Sequence, residues 1–313
     1  MNLYLVIPCY KEQEVLLYTA KLLEEKMNSL IDSGKISDDS KVCFVNDGST
    51  DNTWYIITEL HKSNKLFQGI NLSRNRGHQN ALLAGLMTVK DYADAMISLD
   101  ADLQDDINAI DEMVDKFLDG CDIVYGVRSK RETDTWFKRT TAEGFYKVME
   151  FMGAKVVFNH ADYRLMSKRA VEGLAQFKEV NLFLRGMVPM IGYKSDVVYY
   201  ERKERFAGES KYPLKKMLAF AFEGITSLTV EPIRFITKLG VLVFCVSIVL
   251  VLWSLYRYFI GETVAGWTSM IISLWAIGGL ILFSIGVVGE YIGKIYLETK
   301  GRPRFIVKEY LKN

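Results

Sequence analysis

The stretch Ala95-Met96-Ile97-Ser98-Leu99-Asp100-Ala101-Asp102-Leu103-Gln104-Asp105-Asp106 joins a mostly apolar segment to a group of acids. The first five residues are β-prone and predict a buried strand. Asp100 and Asp102 follow it, and residues two apart on a strand share a face. Two carboxylates this close repel each other unless a cation lies between them or one is protonated. Mg²⁺ or Mn²⁺ suits such oxygen ligands. A solvated acidic loop, with Asp105 or Asp106 capping the next helix, explains the same residues, so the motif alone leaves both interpretations open.

Strands and helices alternate on both sides of this stretch. Apolar, β-prone runs predict strands at residues 3–7, 41–45, 67–72, 95–99 and 121–127, with helical patterns between them. Such alternation is typical of βαβ units and a mostly parallel sheet. Beyond these units, residues 160–167 are short and extended, Ser167 is placed to cap a helix, and residues 193–200 alternate like a further strand.

Polar residues follow each of the first four predicted strands. Ligands collect at the carboxyl ends of the strands in a sheet of this kind, which would bring together Pro8, Tyr10, Glu12, Asp47, Ser49, Ser73, Arg74, Asn75, Asp100 and Asp102. The general polarity of loops explains part of this pattern, but not a tyrosine and several acids on one rim. The rim lacks the glycine motifs of dinucleotide sites and P-loops. It therefore favours a diphosphate held through a metal.

Composition narrows the possible classes of protein. The 313 residues are 50% hydrophobic, which is enough for one large domain or two, and the net charge of +1 argues against a nucleic-acid partner. The four scattered cysteines predict reduced thiols rather than disulfides or a zinc site. The three histidines show no metal-ligand spacing, and the first apolar run is too short for a signal peptide.

The C-terminal part predicts a helical hairpin in a membrane. No charged residue lies between Lys238 and Arg257, or between Glu262 and Glu290, and about 20 apolar residues suffice to span a bilayer. A buried helix pair in a soluble core is the alternative. Basic residues flank the outer ends and predict that both ends, and with them the preceding domain, are cytoplasmic. The absence of charge inside the spans indicates an anchor rather than an ion pathway.

These features divide the chain into four predicted parts. They are an α/β domain at 1–212, a juxtamembrane amphipathic helix at 213–233, a hairpin at 234–292 with helices at about 236–258 and 268–290, and a cytoplasmic tail at 293–313. A further amphipathic helix is predicted at roughly 135–152. Basic amphipathic helices beside a membrane span commonly lie in the headgroup plane, although packing against the domain explains the first of the two as well.

Six motifs, in order, carry a family resemblance. They are Val6-Ile7-Pro8-Cys9-Tyr10-Lys11-Glu12, Val45-Asn46-Asp47-Gly48-Ser49-Thr50-Asp51, Ser73-Arg74-Asn75-Arg76-Gly77-His78, Asp100-Ala101-Asp102-Leu103-Gln104-Asp105, Asp162-Tyr163-Arg164-Leu165-Met166 and Gly208-Glu209-Ser210-Lys211-Tyr212. With Arg302-Pro303 after two hydrophobic helices, they resemble glycosyltransferase family 2. More narrowly, they resemble its membrane-anchored polyprenyl-phosphate enzymes, the dolichol-phosphate mannose synthases and bacterial undecaprenyl-phosphate glucosyltransferases. Asn46 departs from the pattern, since many members have Asp there.

The resemblance implies that the domain at 1–212 is catalytic and has a GT-A fold, which is Rossmann-like with a mostly parallel sheet. It also implies roles for particular residues. The nucleotide-sugar would be bound by Pro8, Tyr10, Glu12, Asp47, Asn75, Asp100 and Asp102. Mg²⁺ or Mn²⁺ would be coordinated by Asp100, Asp102 and Gln104. The acceptor phosphate would be bound by Arg128, Arg131, Arg205 and Lys211, although a lipid-headgroup or surface contact explains the last three equally well. The implied catalytic residues are Asp100, Asp102, Asp162, Arg128 and Lys211.

The implied reaction is an inverting transfer of a sugar to undecaprenyl phosphate. A phosphate monoester with a second pKa near ~6 is already ionised at neutral pH, so a general base is less necessary than positioning. Asp162 is the candidate base, or it holds Arg164. UDP-glucose is favoured as donor, with UDP-N-acetylglucosamine and GDP-mannose as alternatives. A hydroxyl acceptor and a non-catalytic, membrane-anchored nucleotide-sugar sensor stay open. Partners would include the bilayer and, as in relatives, a second copy of the chain.

Overall fold

A computed structural model describes residues 1–129, 160–180, 182–201, 231–260 and 266–312. The predicted residues Arg131, Arg205 and Lys211 lie outside these ranges, as do the helix predicted at 135–152 and residues 213–230 of the helix predicted at 213–233. The elements in chain order are β1 Leu3–Cys9, α1 Leu16–Asp32, β2 Lys41–Asn46, α2 Thr53–Ser63, β3 Phe67–Leu72, α3 His78–Val89, β4 Ala95–Ser98, α4 Ala109–Leu118, β5 Ile123–Arg128, β6 His160–Ser167, α5 Lys168–Ala175, α6 Leu184–Met190, β7 Ser195–Tyr200, α7 Glu231–Phe259, α8 Trp267–Lys300 and β8 Val307–Leu311.

One eight-stranded sheet runs through the described part of the chain, in the order β7-β5-β6-β4-β1-β2-β3-β8. Four neighbouring pairs are parallel and three are antiparallel. The prediction of a mostly parallel sheet therefore needs correction, because the sheet is mixed. Strands β1 to β4 form the parallel βαβ part that the alternation predicted, whereas β6 and β8 enter the sheet in the opposite direction.

Helices cover both faces of the sheet. Successive residues of a strand point to opposite faces, and in β1 Leu5 packs with the layer of α1, α2 and α4, while Val6 packs with α3, α5 and α6. All seven residues of β1 are buried, as expected for strands covered on both sides. At the start of α5, the Ser167 hydroxyl accepts the backbone N–H of Ala170 at 3.1 Å, which confirms the predicted cap.

Helices α7 and α8 differ from the rest of the molecule because their apolar side chains are exposed. Leu242, Val249, Leu282 and Phe283 are each 60–71% exposed. Each helix is long and apolar enough to cross a membrane, by length and composition alone, over Pro232–Leu250 and Ala276–Lys300. Almost none of either stretch is buried, so the described part of the chain does not enclose the two helices as it would the internal pair of a soluble core.

The chain returns to the sheet after α8. The sequence predicted that the second span ends near residue 290 and that a tail follows. In the structure α8 continues to Lys300, and Gly301 ends it in the left-handed conformation, with φ of +55°. Strand β8 then pairs antiparallel with β3, joining Gly69 to Leu311 and Leu72 to Val307. The end of α8 is thereby fixed beside the edge of the sheet.

Candidate active site

The carboxyl ends of β1 and β2 are joined by hydrogen bonds between their loops. The Lys11 N–H donates to the Ser49 hydroxyl at 3.1 Å, and the Glu12 N–H donates to Thr53 Oγ1 at 3.0 Å. Pro8 is buried at the end of β1, whereas Tyr10 is 44% exposed beyond it. The predicted residues Pro8, Tyr10 and Glu12 therefore lie on the same rim as the loop that follows β2.

Asp47 organises the loop at 73–77. Its Oδ1 accepts the Arg76 N–H at 2.7 Å and its Oδ2 accepts the Gly77 N–H at 2.8 Å. Burial raises the pKa of this carboxyl, and the two N–H donors and the nearby His78 and Arg76 side chains offset only part of that rise. Asp47 and Asn75, both predicted for the nucleotide, are thus brought together on adjoining loops.

Gly48 allows these two loops to touch through their backbones. Its φ is +62°, and a Cβ there would lie 2.5 Å from the Arg74 carbonyl carbon and from the Asn75 nitrogen. Only glycine combines this conformation with so close an approach at low cost. The close approach of the 73–77 loop therefore requires a glycine directly after Asp47.

Asn46, the departure from the family pattern, has a structural function in this chain. Its Nδ2 donates to Asn71 Oδ1 at 2.8 Å, which links β2 to β3, and its Oδ1 accepts the Ser49 N–H at 3.2 Å. The side chain is buried. An aspartate would keep the bond to Ser49 but would have no donor for Asn71.

Asp102 and Gln104 lie side by side, as predicted. Gln104 Nε2 donates to Asp102 Oδ2 at 2.9 Å. Between them Leu103 has a φ of +45°, a conformation that costs a residue with a Cβ about 1 kcal/mol. This turn directs Gln104 back toward Asp102, and strained backbone of this kind is concentrated at functional sites.

Asp100, His78 and Asp162 form a second group on the rim. His78 Nε2 lies 3.6 Å from Asp100 Oδ1 and 3.9 Å from Asp162 Oδ2. Burial raises the pKa of Asp100; His78 opposes this, and the negative charges of Asp105, Asp162 and Asp102 raise it further. An additional positive charge would therefore be stabilised beside Asp100.

Asp162 is held between two arginines. Arg164 Nη2 lies 2.5 Å from its Oδ1, and Arg185 Nη2 lies 3.1 Å from its Oδ2. Burial acts to raise the pKa of Asp162, but the charges of Arg185 and Arg164, with the nearby His78, outweigh this effect, so the pKa is lowered. The carboxylate is thus ionised and paired.

Arg128 is fixed at the end of β5 by a buried acid. Its Nη2 lies 3.0 Å from Asp105 Oδ1, and the Tyr200 hydroxyl donates to the same oxygen at 2.6 Å. The carboxylate of Asp105 is 4% exposed, whereas the Arg128 side chain is 30% exposed. Asp105 therefore does not cap α4, contrary to one of the two interpretations of the acidic loop. Asp106 accepts the Asn108 N–H at 3.3 Å, but no side chain among the described residues caps α4, so neither acid has the predicted capping role.

From the sequence, no binding or catalytic role was assigned to four residues of this site: His78, Asp105, Arg185 and Tyr200. His78 and Asp105 are the last residues of two of the family motifs. The motifs therefore indicated that these residues matter, but not which side chains they contact. Arg185 and Tyr200 carried no local signal, because only the tertiary structure brings them to Asp162 and Asp105.

The donor atoms on the rim can be compared with what a divalent cation requires. Within the described residues, no three His, Cys, Asp or Glu side chains come together as a metal cluster. Asp100 and Asp102 offer carboxylate oxygens two residues apart, and Gln104 lies against Asp102. Mg²⁺ in phosphate-binding sites is commonly held by one or two carboxylates, with substrate oxygens and water completing the shell. This donor set fits such an ion.

Comparisons with known proteins agree on a family. The family model described as "Glycosyl transferase family 2" matches residues 4–174. The chain is 53% identical to the uncharacterized glycosyltransferase YkoT of Bacillus subtilis, over 99% of this chain and 92% of that protein. It is 40% identical to a bactoprenol glucosyl transferase of Shigella phage SfX, over 98% and 99%. Among solved structures, glucosyl-3-phosphoglycerate synthase of Mycobacterium tuberculosis matches 72% of this chain and 78% of that one, at 15% identity and a TM-score of 0.46.

Proposed function

Because the chain belongs to glycosyltransferase family 2 and is therefore an enzyme that transfers a sugar, we propose that it glycosylates a polyprenyl phosphate at the cytoplasmic face of a membrane. The donor we propose is UDP-glucose, the acceptor undecaprenyl phosphate, and the product a polyprenyl-phosphate-linked glucose. The observation that carries the proposal is the acidic rim on a domain that ends in two exposed apolar helices. A relative named for bactoprenol glucosyl transfer is similar over almost the whole length, including these helices.

The membrane part of the proposal is supported by what surrounds α7 and α8. Their apolar side chains need an apolar environment, and the described catalytic domain does not provide one. Because β8 follows α8 and joins the sheet, the end of α8 lies on the same side as the catalytic domain. We therefore propose a hairpin whose outer ends and catalytic domain are cytoplasmic, so that the acceptor phosphate lies at headgroup level near the rim.

In the proposed reaction an acceptor phosphate oxygen attacks the anomeric carbon from the face opposite the diphosphate. A new carbon–oxygen bond forms as the bond to the diphosphate breaks, and the nucleoside diphosphate leaves with the electron pair. The transition state has oxocarbenium character, as in other glycosyl transfers. Asp100, Asp102 and Gln104 would hold Mg²⁺ or Mn²⁺, which when bound neutralises the charge of the leaving diphosphate.

The state of Asp162 favours a phosphate acceptor over a hydroxyl. A hydroxyl acceptor needs a base, and a carboxylate that is paired to two arginines and has a lowered pKa is a poor proton acceptor. A phosphate monoester is largely ionised at neutral pH and needs no base. We assign Asp162 to positioning Arg164 and Arg185, and Arg128 to binding the acceptor phosphate. Arg131, Arg205 and Lys211 are assigned to the same phosphate on the basis of the family resemblance alone.

The direct test is transfer by the purified full-length protein in detergent. The protein would be incubated with undecaprenyl phosphate, Mg²⁺ or Mn²⁺, and one of three donors: UDP-glucose, UDP-N-acetylglucosamine or GDP-mannose. The mass of the lipid product would be measured by mass spectrometry. The expected result is the addition of one hexose from UDP-glucose, lost in Asp102→Asn. Nucleotide binding without any glycolipid would contradict the lipid acceptor and favour a hydroxyl acceptor or a sensor.

A further inference from the structure

The segment that follows α8, residues 301–312, contacts the catalytic domain at the loop that Asp47 organises. We name it the C-terminal strap. We propose that the strap positions the 73–77 loop for nucleotide binding, with Arg76 as the positioning residue. This inference rests on the proposed function, because it assumes that the loop borders a nucleotide site.

The strap is joined to the strand that leads into the loop. Strand β8 pairs with β3 up to Leu72, the last residue of β3. The next residue, Ser73, donates its N–H to the Ile306 carbonyl at 3.0 Å, and Tyr310 donates its hydroxyl to Gln68 Oε1 at 2.7 Å. The first residue of the loop is therefore held by the strap and not by β3 alone.

Arg76 connects the strap to Asp47. Its Nη2 donates to the Pro303 carbonyl at 3.1 Å, while its own N–H donates to Asp47 Oδ1 at 2.7 Å. Its carbonyl accepts a third bond, from Asn80 Nδ2 at 2.9 Å. One residue thus holds the loop to the strap by its side chain and to Asp47 by its backbone. Asn75, which is predicted to bind the nucleotide, directly precedes Arg76 in the chain, so a shift of Arg76 would move Asn75 as well.

The other end of the strap is attached to both α8 and the domain. The Glu298 carboxylate accepts the Val180 N–H at 2.8 Å, and Arg304 Nη2 donates to the Phe177 carbonyl. The strap begins immediately after α8, so its position is determined by the end of an exposed apolar helix. The same contacts therefore connect the helix pair to the loop beside Asp47.

The test is the affinity of the full-length protein for UDP, with GDP as the second probe, measured by calorimetry in detergent with Mg²⁺. Arg76→Met keeps the aliphatic part of the side chain and removes its donors, whereas Arg76→Lys restores one donor. Hydrogen bonds from charged donors are the stronger ones, so Arg76→Met is expected to weaken UDP binding about tenfold. The donor KM should rise by a similar factor, with kcat at saturating donor within about twofold and the acceptor KM unchanged.

Two further variants make the result specific. Lys308→Met removes an exposed cation from the same strap and should bind UDP like the wild type, while Arg76→Lys should recover most of the loss. If Arg76→Met does not fold, Pro303→Gly loosens the accepting carbonyl at an exposed position and should weaken UDP binding in the same direction.

The outcomes separate the inference from the proposed function. UDP binding within twofold of wild type in both Arg76→Met and Pro303→Gly, or a fall in kcat with an unchanged donor KM, would overturn the inference. A wild-type protein that binds neither UDP nor GDP would instead overturn the proposed function.

Discussion

At the scale of single residues, two buried carboxylates hold the cations of the site. Asp162 is 12% exposed and faces Arg164 and Arg185, and Asp105 is 4% exposed and faces Arg128. An arginine on a long side chain is mobile unless a partner fixes it, and buried charge-assisted hydrogen bonds provide that fixation. Each arginine then presents its remaining donors in one orientation, which suits the recognition of a phosphate.

The lowered pKa of Asp162 has consequences for stability and catalysis. A depressed pKa contributes stability above the unfolded-state value of about 4, and this stability is lost as the pH falls below that value. Asp162→Asn leaves two cations without their partner, so we expect it to destabilise the protein at pH 7 by about 3 kcal/mol. The difference in thermal midpoint from wild type should shrink below about pH 4, and the shape of the kcat profile between pH 6 and 9 should not change.

The control is an ion pair at the surface. Asp91 lies 3.1 Å from Lys90, with a side chain that is 63% exposed, and pairs of this kind contribute little. Asp91→Asn should therefore leave the thermal midpoint nearly unchanged at both pH values. A lost ionisation in the pH profile of Asp162→Asn would show that Asp162 acts as a base and would contradict its assignment to positioning.

At the scale of elements, the contact between the loops after β2 and β3 depends on a single glycine. Gly48 and Gly34 both have positive φ, of +62° and +74°, but only Gly48 has neighbouring backbone where a Cβ would be placed. A Cβ in this conformation costs about 1 kcal/mol by itself. Gly34→Ala should therefore show that cost alone, which makes it a matched control for Gly48→Ala.

We expect Gly48→Ala to destabilise the protein more than Gly34→Ala and also to weaken UDP binding, because the 73–77 loop must move away from its Cβ. Thermal unfolding and calorimetry with UDP on the two variants measure both effects. Equal UDP affinities in Gly48→Ala and wild type would show that the contact between the loops has no part in nucleotide binding.

The elements differ in how far the sequence predicts them. Strands β1 to β4 lie within one or two residues of their predicted bounds, because a strand buried on both faces requires a continuous apolar run. Strand β8, Val307–Leu311, was not predicted. It contains Lys308 and Glu309 and lies at the edge of the sheet, where the solvent tolerates charge. Its partner β3 lies more than 200 residues earlier, and no local pattern encodes that pairing.

The candidate site, too, was predicted from the sequence only in part. The rim rule for parallel strands placed Asp47, Asp100 and Asp102 near one another from the sequence alone. It did not reveal that Asp47 binds backbone N–H groups of the 73–77 loop, or that Arg185 faces Asp162. These contacts depend on the paths of loops and on a short helix, which tertiary packing determines.

At the scale of the whole molecule, the strap and the helix pair make a prediction about topology. Cys9, Cys43 and Cys121 are buried, whereas Cys245 is exposed on α7, inside the candidate span. If α7 crosses a bilayer, Cys245 faces lipid, where a polar maleimide cannot reach it. We therefore expect no labelling of Cys245 in native membranes, and labelling only after denaturation in SDS.

Two cysteines introduced into a Cys245→Ser background would fix the orientation. Lys308→Cys lies on β8 beside the catalytic domain, and Thr263→Cys lies in the sequence between the two helices. In right-side-out vesicles an impermeant maleimide should label Thr263→Cys directly, but Lys308→Cys only after the membrane is permeabilised. Labelling of both before permeabilisation would contradict the hairpin. Labelling of the native Cys245 without denaturation would show that the exposed apolar face of α7 meets water or another protein rather than lipid.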